Sequence, residues 1–199
     1  MERLRAGETV TDDEFDLEVF PDWAQAASRV HWTPVTVSRF TARLLTAHGA
    51  KRILDVGSGV GKFCLVGALT SPGVFLGIEQ RPHFIQVARQ AAARLGVDRC
   101  TFTLGNMTAL DWSEFDAYYL YNPFAEHRMA LPIDNTIQRS VRRYRKYVRF
   151  VEEQLAKVPA GILLATYHGF GGTPPAGWTQ LRNEACGSGR IELWRKLST

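Results

Sequence analysis

The stretch ILDVGSGVGKF, residues 53–63, constrains the fold of this chain more than any other feature. An apolar run leads through an acid into a turn with glycines at alternate positions, Gly57, Gly59 and Gly61, and an apolar segment follows. This order is typical of a buried parallel strand that passes through a tight turn into a helix. Glycines at such a turn let a ligand approach the backbone closely, and that ligand is usually nucleotide-like.

Strand-like and helix-like segments alternate through most of the chain. Apolar runs predict five strands, around residues 52–56, 74–80, 100–106, 116–124 and 161–170. Helical patterns separate them, the longest from about residue 133 to residue 157. Two further strands, 178–186 and 190–196, flank a glycine-containing turn. We therefore predict an α/β fold: a doubly wound, mostly parallel seven-stranded sheet with a C-terminal antiparallel hairpin.

The length of the chain predicts one main domain with an N-terminal addition. At 199 residues, 45% of them hydrophobic, the chain can fill one sizeable core. We predict a helical extension over residues 1–32 and the main domain over residues 33–199. The first helix of that domain is expected to use Thr33 as its N-cap and to end at Gly49.

Composition excludes several classes of protein. The three cysteines are far apart and lack a C-x-x-C spacing, which predicts buried reduced thiols and no metal site; they are Cys64, Cys100 and Cys186. No uninterrupted apolar segment occurs near the N-terminus, so we expect no signal peptide, no membrane anchor and a cytoplasmic location. The net charge of +4 favours an anionic partner without requiring one.

Two cofactor classes fit a glycine turn of this kind. Dinucleotides require G-x-G-x-x-G and an acid about 20 residues further on. Here the spacing is G-x-G-x-G, and Asp55 stands two residues before the first glycine. Glu79, at the end of the second strand, is placed to accept both hydroxyl protons of a ribose, although such an acid can equally be a solvated strand end.

The combination of LDVGSGVGK and LGIEQ resembles the class I S-adenosylmethionine-dependent methyltransferases, whose first motif is an acid followed by G-x-G-x-G. The resemblance extends as a layout over residues 33–199. It implies S-adenosylmethionine as cofactor, lying across the carboxyl ends of the first, second and fourth strands. Asp55 agrees with this, because the cofactor carries an ammonium whereas a dinucleotide pyrophosphate is anionic. The family's adenine contact falls on Asn106 and Met107, which are also ordinary strand-end residues.

The fourth strand ends in YLYNPF, residues 119–124. Asn122 offers a carbonyl and an amide that can orient a substrate nitrogen, so we predict it as the catalytic residue and a cofactor contact. The ending resembles the (D/N/S)-P-P-(Y/F/W) motif of methyltransferases that modify exocyclic amines and some protein side-chain nitrogens, with Phe124 at the second proline and Ala125 at the aromatic. It also resembles, over short stretches, the non-SET histone lysine methyltransferases, and most of all small uncharacterised bacterial methyltransferases with YNPF. The alternative is a strand ended by proline and an Asn turn.

Other candidates concern the substrate. The segment 139–149 concentrates arginines and a lysine, which fits either a phosphate backbone or a solvated helix face paired with Glu152 and Glu153. Trp32 fits either a shield over the cofactor's sulfonium or a core anchor. Three histidines are further candidates for the edge of the cleft: His83, His127 and His168.

The sequence thus predicts an S-adenosylmethionine-dependent methyltransferase that acts on a nitrogen or oxygen acceptor. The alternatives are an NAD-dependent oxidoreductase of Rossmann type and a non-catalytic module that keeps the fold. Small molecules, proteins, RNA and lipid-like compounds all stay open as acceptors, and the chain fits a monomer or a homodimer.

Overall fold

The computed structural model describes residues 1–128 and 133–198. Its sheet has seven strands in the order β3-β2-β1-β4-β5-β7-β6. The strands are β1 Arg52–Val56, β2 Val74–Glu79, β3 Cys100–Leu104, β4 Ala117–Tyr121, β5 Leu163–Tyr167, β6 Trp178–Cys186 and β7 Gly189–Lys196. β1 to β5 pair in parallel, and β7 pairs antiparallel with both β5 and β6. The predicted fold class is confirmed.

Helices cover both faces of the sheet, because successive strand residues point apolar side chains to opposite faces. The helices are α1 Glu2–Arg5, α2 Asp12–Val19, α3 Asp22–His31, α4 Val35–Ala47, α5 Lys62–Thr70, α6 Pro82–Leu95 and α7 Val141–Lys157. Ile53 and Tyr119 face one apolar cluster, which α4, α5 and α6 complete. Their neighbours Leu54 and Tyr118 face the other cluster, where α7 packs. The period of two along each strand therefore produces a core on each side.

The first 32 residues pack into the main core. Their buried apolar side chains, among them Phe15 and Trp32, belong to the same cluster as α4, α5 and α6. Lys62, the first residue of α5, is only 1% exposed, and its Nζ lies 2.6 Å from Asp12 Oδ1 and 2.7 Å from Asp16 Oδ1. Two ion pairs to the buried Lys62, one of them with the buried Asp16, therefore hold α2 against the helix that follows the glycine turn.

The prediction that Thr33 caps α4 is wrong. Pro34 occupies the N-cap position without a side-chain bond, and Asp12 Oδ1 instead accepts a hydrogen bond from the Val35 N–H at 2.8 Å. Thr33 Oγ1 lies 3.1 Å from the hydroxyl of Tyr119. A carboxylate from α2, remote in sequence, thus takes the place of the local cap.

Two predicted boundaries also shift. The longest helix begins at Val141 and not near residue 133, because Ser140 caps it through a bond from the Arg143 N–H. Before it, Asp134 Oδ1 closes a turn by accepting from the Thr136 N–H at 2.9 Å. β4 ends at Tyr121, so the Asn-Pro pair lies in the turn after the strand.

The remaining structural expectations concern cysteines, membranes and metals. Cys64 and Cys100 are buried free thiols, as predicted, whereas Cys186 is only half-buried. Within residues 1–128 and 133–198, no helix has both the length and the apolar character needed to cross a bilayer. The same residues contain no group of three or more His, Cys, Asp or Glu side chains that could hold a metal ion.

Candidate functional site

A cavity of about 300 Å³ lies at the carboxyl ends of β1, β2 and β4. Its walls include Gly57 and Gly59 from the turn after β1, Glu79 and Arg81 from the end of β2, and Asn122 from the turn after β4. Open α/β sheets bind ligands at this edge. The structure therefore brings together, around one cavity, residues that the sequence places in three separate segments.

The first two glycines allow close approach of neighbouring residues. Gly57 and Gly59 have φ of +77° and +56°, which side chains rarely adopt. A Cβ at Gly57 would lie 3.0 Å from Pro123 Cβ, and one at Gly59 would lie 2.6 Å from the ring of Trp32. The glycine turn thus packs against the Asn-Pro turn on one side and against Trp32 on the other.

Gly61 has a different reason to be glycine. It adopts φ of +83° at the start of α5, and a Cβ there would lie 2.5 Å from the ring of Phe102 on β3. Its contacts are internal packing, and it is not among the residues that line the cavity. The sequence pattern does not distinguish this glycine from the other two, because all three share the same spacing.

Glu79 is held in one orientation at the cavity wall. Its Oε2 accepts a hydrogen bond from the Gly59 N–H at 3.2 Å, and its Oε1 accepts from the N–H groups of Gln80 and Arg81 at 2.7 Å and 3.0 Å. Burial raises the pKa of this carboxyl group, and the Arg81 charge and the backbone donors oppose that rise. The carboxylate is therefore positioned before any ligand arrives.

Asp55 lies beside the main cavity. It borders a second space of about 30 Å³, whose walls Gly57, Trp32 and Tyr121 are shared with the main cavity. The Cys64 thiol donates to Asp55 Oδ2 at 3.4 Å. Burial raises the pKa of Asp55 to about 7, and the nearby Glu79 charge raises it further. A space of this size holds about one water molecule.

Two non-glycine residues at the cavity have left-handed backbones. Asn122 has φ of +39° and His168 has φ of +57°, and both line the cavity. The Asn122 N–H donates to the carbonyl of Gly169 at 2.9 Å, which ties the turn after β4 to the end of β5. Backbone strain of this kind costs about 1–3 kcal/mol and clusters at functional sites.

The two residues predicted after β3 differ in position. Met107 lines the cavity, but Asn106 does not. Asn106 Nδ2 donates to the Tyr147 hydroxyl at 2.6 Å and to Gln80 Oε1 at 3.0 Å, while its Oδ1 accepts within its own turn. Its side chain therefore connects β2 to α7.

The other sequence candidates also separate. His127 is buried in the cavity wall, and burial lowers the pKa of its imidazole. His83 lies outside the wall, with its Nε2 3.3 Å from Asp134. Trp32 lines the cavity and is also anchored in the core, where its Nε1 donates to the Ala24 carbonyl at 2.8 Å. Trp32 is therefore a core anchor whose ring also forms part of the cavity wall, and its contact with the cofactor's sulfonium stays a prediction.

Sequence reasoning missed Arg81, which is 2% exposed at the cavity. Its guanidinium bonds both oxygens of Glu126, at 3.3 Å and 2.5 Å, and Asp134 Oδ2 at 3.0 Å. It also lies 3.6 Å from Glu79 Oε1. The sequence shows only a positive charge two residues after Glu79. It does not reveal the partners Glu126 and Asp134, because they are remote in sequence.

The sheet order and this cavity define an α/β domain that binds a nucleotide-like ligand at its carboxyl edge. A family model described as "Methyltransferase domain" matches residues 47–160, and the chain belongs to this family. S-adenosylmethionine is the methyl donor of the family. No curated protein matches the sequence.

Solved structures share the fold at low sequence identity. TrmN from Thermus thermophilus superposes with a TM-score of 0.64 at 19% identity over 86% of this chain and 51% of that chain, so this chain spans about half its length. An RNA methyltransferase from Salinibacter ruber in complex with S-adenosyl-L-homocysteine superposes with a TM-score of 0.54 at 22% identity, over 78% of this chain and 89% of that chain. Magnesium protoporphyrin IX methyltransferase from Synechocystis PCC 6803 with bound SAM superposes with a TM-score of 0.58 at 14% identity, over 88% of this chain and 85% of that chain.

Proposed function

We propose that this protein transfers a methyl group from S-adenosylmethionine to a nitrogen or oxygen of an acceptor. One observation carries the proposal: a single cavity joins the glycine turn and the fixed Glu79 carboxylate to the turn that holds Asn122. Membership of the methyltransferase domain family supports it. The YNPF ending that holds Asn122 further suggests kinship with the small bacterial methyltransferases that carry the same ending.

The residues around the cavity fit the cofactor. Gly57 and Gly59 line the cavity where its methionine part would lie, with Pro123 and Trp32 packed against them, and Glu79 would accept from its ribose hydroxyls. Asp55 is placed to hold the ammonium directly or through one water in the adjoining space. Met107 offers an apolar contact for the adenine ring. Asn106 reaches the cofactor only through its neighbours, since its side chain is bound to Gln80 and Tyr147.

The bound cofactor supplies a methyl group on a positively charged sulfur, and the protein positions the acceptor. Asn122 lines the cavity and carries an amide oxygen that can accept from an acceptor nitrogen. An acceptor N–H that donates to this oxygen turns its lone pair toward the methyl carbon. Such an in-line displacement depends on orientation and on exclusion of water more than on acid or base strength. His127 and His168 line the cavity and are candidates to accept the released proton.

We also propose a domain division and weigh the rival functions. We assign cofactor binding to residues 33–199 and treat residues 1–32 as an added helical segment that contributes Trp32 to the cavity. An NAD-dependent oxidoreductase is disfavoured, because the buried carboxyl group of Asp55 adjoins the glycine turn where a pyrophosphate would lie. A module that binds the cofactor without transferring a methyl group is the remaining rival.

Thermal unfolding with separate ligands tests the proposed cofactor. S-adenosylmethionine and S-adenosylhomocysteine, each at about one hundred times its dissociation constant, add about 2.7 kcal/mol to the stability of the folded state. The melting temperature of the purified protein should therefore rise by several degrees with both compounds and stay unchanged with NAD. A rise with NAD alone would show that Asp55 is misassigned. No rise with any ligand would contradict cofactor binding altogether.

Replacing Glu79 with alanine should weaken S-adenosylhomocysteine binding by about 2–3 kcal/mol, the scale of lost charge-assisted hydrogen bonds. Titration calorimetry measures the affinity. Glu126→Gln is the matched control, because it disturbs the same Arg81 guanidinium but leaves Glu79 in place. If Glu79→Ala binds as tightly as the original protein, Glu79 does not contact the ribose.

A further inference from the structure

Arg81 is a buried cation in the cavity wall, and three carboxylates surround it. Its guanidinium donates to both oxygens of Glu126 and, through Nε, to Asp134 Oδ2 at 3.0 Å. Toward β2, its Nη1 lies 3.6 Å from Glu79 Oε1. Burying a charge is costly unless the charge is paired and hydrogen-bonded. Here the pairing joins the end of β2, the turn after β4 and the segment before α7.

The contact with Glu79 adds a charge to the donors around that carboxylate. The N–H groups of Gln80, Arg81 and Gly59 already donate to its two oxygens. Burial raises the pKa of Glu79, and the Arg81 charge is the largest of the influences that oppose this rise. An ionised carboxylate only accepts hydrogen bonds, whereas the protonated form also donates one. Arg81 therefore favours the form that can accept from two ribose hydroxyls at once.

The contact with Glu126 holds the turn that carries Asn122. The Ala125 N–H donates to the Asn122 carbonyl at 3.1 Å, and Glu126 is the next residue of this turn. At the other end of the turn, the Asn122 N–H donates to the Gly169 carbonyl at 2.9 Å. The turn is therefore held on one side by the end of β5 and on the other side by Arg81.

We propose that Arg81 is a positioning residue that aims the Glu79 carboxylate at the ribose hydroxyls and holds the turn of Asn122 beside the same ligand. This proposal rests on the proposed methyltransferase function. Arg81 acts through Glu79 and Glu126, because the planar fork of a guanidinium can contact two carboxylates at once. The two carboxylates share one charge. Neutralising Glu126 therefore leaves more of that charge to Glu79, and removing Arg81 leaves both acids without it.

Other titratable groups lie around Glu79 and Arg81, and each comes from a different segment. They are Asp55 of β1, His31 at the end of α3, His83 in α6, His127 after β4 and Asp134 before α7. All of them are unchanged in the single variants Arg81→Met and Glu126→Gln. Differences between these variants and the original protein therefore report on Arg81 and Glu126.

Calorimetry of an adenosine ligand at several pH values tests the proposal. The probe is 5′-methylthioadenosine, which keeps the ribose and lacks the ammonium that would pair with Asp55. Its binding should be lost as the pH falls through the pKa of Glu79. Arg81→Met should move the midpoint of this loss upward by about 1–3 pH units, the usual effect of an opposite charge this close. Glu126→Gln should move the midpoint downward, because Arg81 then has one carboxylate fewer to pair with.

A probe without the hydroxyls separates positioning from a general structural effect. The 2′,3′-dideoxy form of the same ligand cannot donate to Glu79. One pH unit below its own midpoint, Arg81→Met should bind the hydroxylated probe about five- to tenfold more weakly than the original protein does. The dideoxy probe should bind both proteins alike, whereas a structural effect would weaken the two probes equally.

The conservative variant Arg81→Lys tests the two contacts separately. Lysine keeps the charge, so the midpoint should return close to that of the original protein. It cannot form the two parallel bonds to Glu126, because an ammonium lacks the planar fork. The Ala125 N–H should therefore exchange its hydrogen with solvent faster in this variant, as nuclear magnetic resonance can measure.

Arg89→Met is the matched control. Arg89 lies on α6, which begins directly after Arg81, and its guanidinium donates to the Phe102 carbonyl at 3.1 Å and 2.8 Å. This variant should keep the original midpoint. If Arg81→Met does not fold, Arg81→Met, Glu126→Gln, Asp134→Asn replaces it, because the added changes remove the unpaired acids. Its midpoint should lie above that of Glu126→Gln, Asp134→Asn.

Several results would overturn the proposal. An unchanged midpoint in Arg81→Met, or equal weakening of both probes, would remove Arg81 from the positioning of Glu79. Unchanged hydrogen exchange at Ala125 in Arg81→Lys would show that the turn does not depend on Arg81. Failure of the hydroxylated probe to displace bound S-adenosylhomocysteine would also reject the proposal and leave the proposed function intact. The proposed function itself fails if S-adenosylhomocysteine does not bind the original protein.

Discussion

Replacing Lys62 with methionine will lower the free energy of unfolding by about 3–5 kcal/mol, the usual cost of leaving a buried charge without its partner. The Lys62 side chain is 1% exposed and that of Asp16 is 5% exposed, with 2.7 Å between Nζ and Oδ1. Methionine fills a similar volume, so the loss reflects the charge and not a cavity. Urea denaturation at neutral pH, followed by tryptophan fluorescence, measures the change.

Two controls separate this effect from a general loss of packing. The double variant Lys62→Met, Asp16→Asn removes the unpaired charge as well and should recover most of the lost stability. Arg149→Met breaks an ion pair whose arginine side chain is 81% exposed, and it should change stability little. A loss below about 1 kcal/mol for Lys62→Met would mean that these ion pairs do not hold α2 against α5.

The Lys62 contacts also connect the N-terminal helices to the cavity. Ser28 on α3 accepts from Lys62 Nζ at 2.9 Å, and α3 leads into Trp32, which rests on Gly59. The end of this segment, Val30, His31 and Trp32, therefore forms part of the cavity wall, although the sequence predicts residues 1–32 as an extension. That wall position follows from contacts 34 to 50 residues apart.

Features with a local cause were predictable from the sequence. Apolar periodicity identifies the strands, and the spacing of the glycine turn identifies the edge of the sheet where the cavity lies. The position of Glu79 at the cavity is predictable for the same reason, since Glu79 is the last residue of β2. These signals depend only on near neighbours in the chain.

Features that depend on distant partners were not predictable. In the sequence Arg81 is not distinguished from other charged residues, because its partners Glu126 and Asp134 lie 45 and 53 residues away. Thr33 has the right type and position for a cap, but Asp12, 23 residues before Val35, accepts the hydrogen bond from the Val35 N–H instead. Tertiary contacts of this kind override local propensity. A single sequence does not indicate which residues so far apart will pair.

Replacing Asp55 with asparagine will stabilise the ligand-free protein above pH 7. Burial and the Glu79 charge raise the pKa of Asp55 from 3.8 to about 7 in the folded state, so the folded protein holds this proton more tightly than the unfolded chain does. The contribution of the protonated Asp55 to stability is complete below pH 3.8 and is lost as the pH rises toward 7. Because each pKa unit corresponds to about 1.36 kcal/mol, the loss amounts to roughly 4 kcal/mol. Asparagine has no proton to lose, so its variant should gain this amount relative to the original protein between pH 4 and pH 8.

Chemical denaturation at several pH values measures that gain, with the exposed Asp98→Asn as a control that should show none. The same substitution should weaken S-adenosylmethionine binding, because the cofactor's ammonium pairs with ionised Asp55. Pairing lowers the pKa of that carboxyl group, so binding near pH 6 should release up to one proton in the original protein and none from this site in the variant. Calorimetry in buffers of different ionisation enthalpy counts the proton. Equal proton release and equal affinity in both proteins would remove Asp55 from the cofactor site, and greater stability without weaker binding would make it a residue of the core alone.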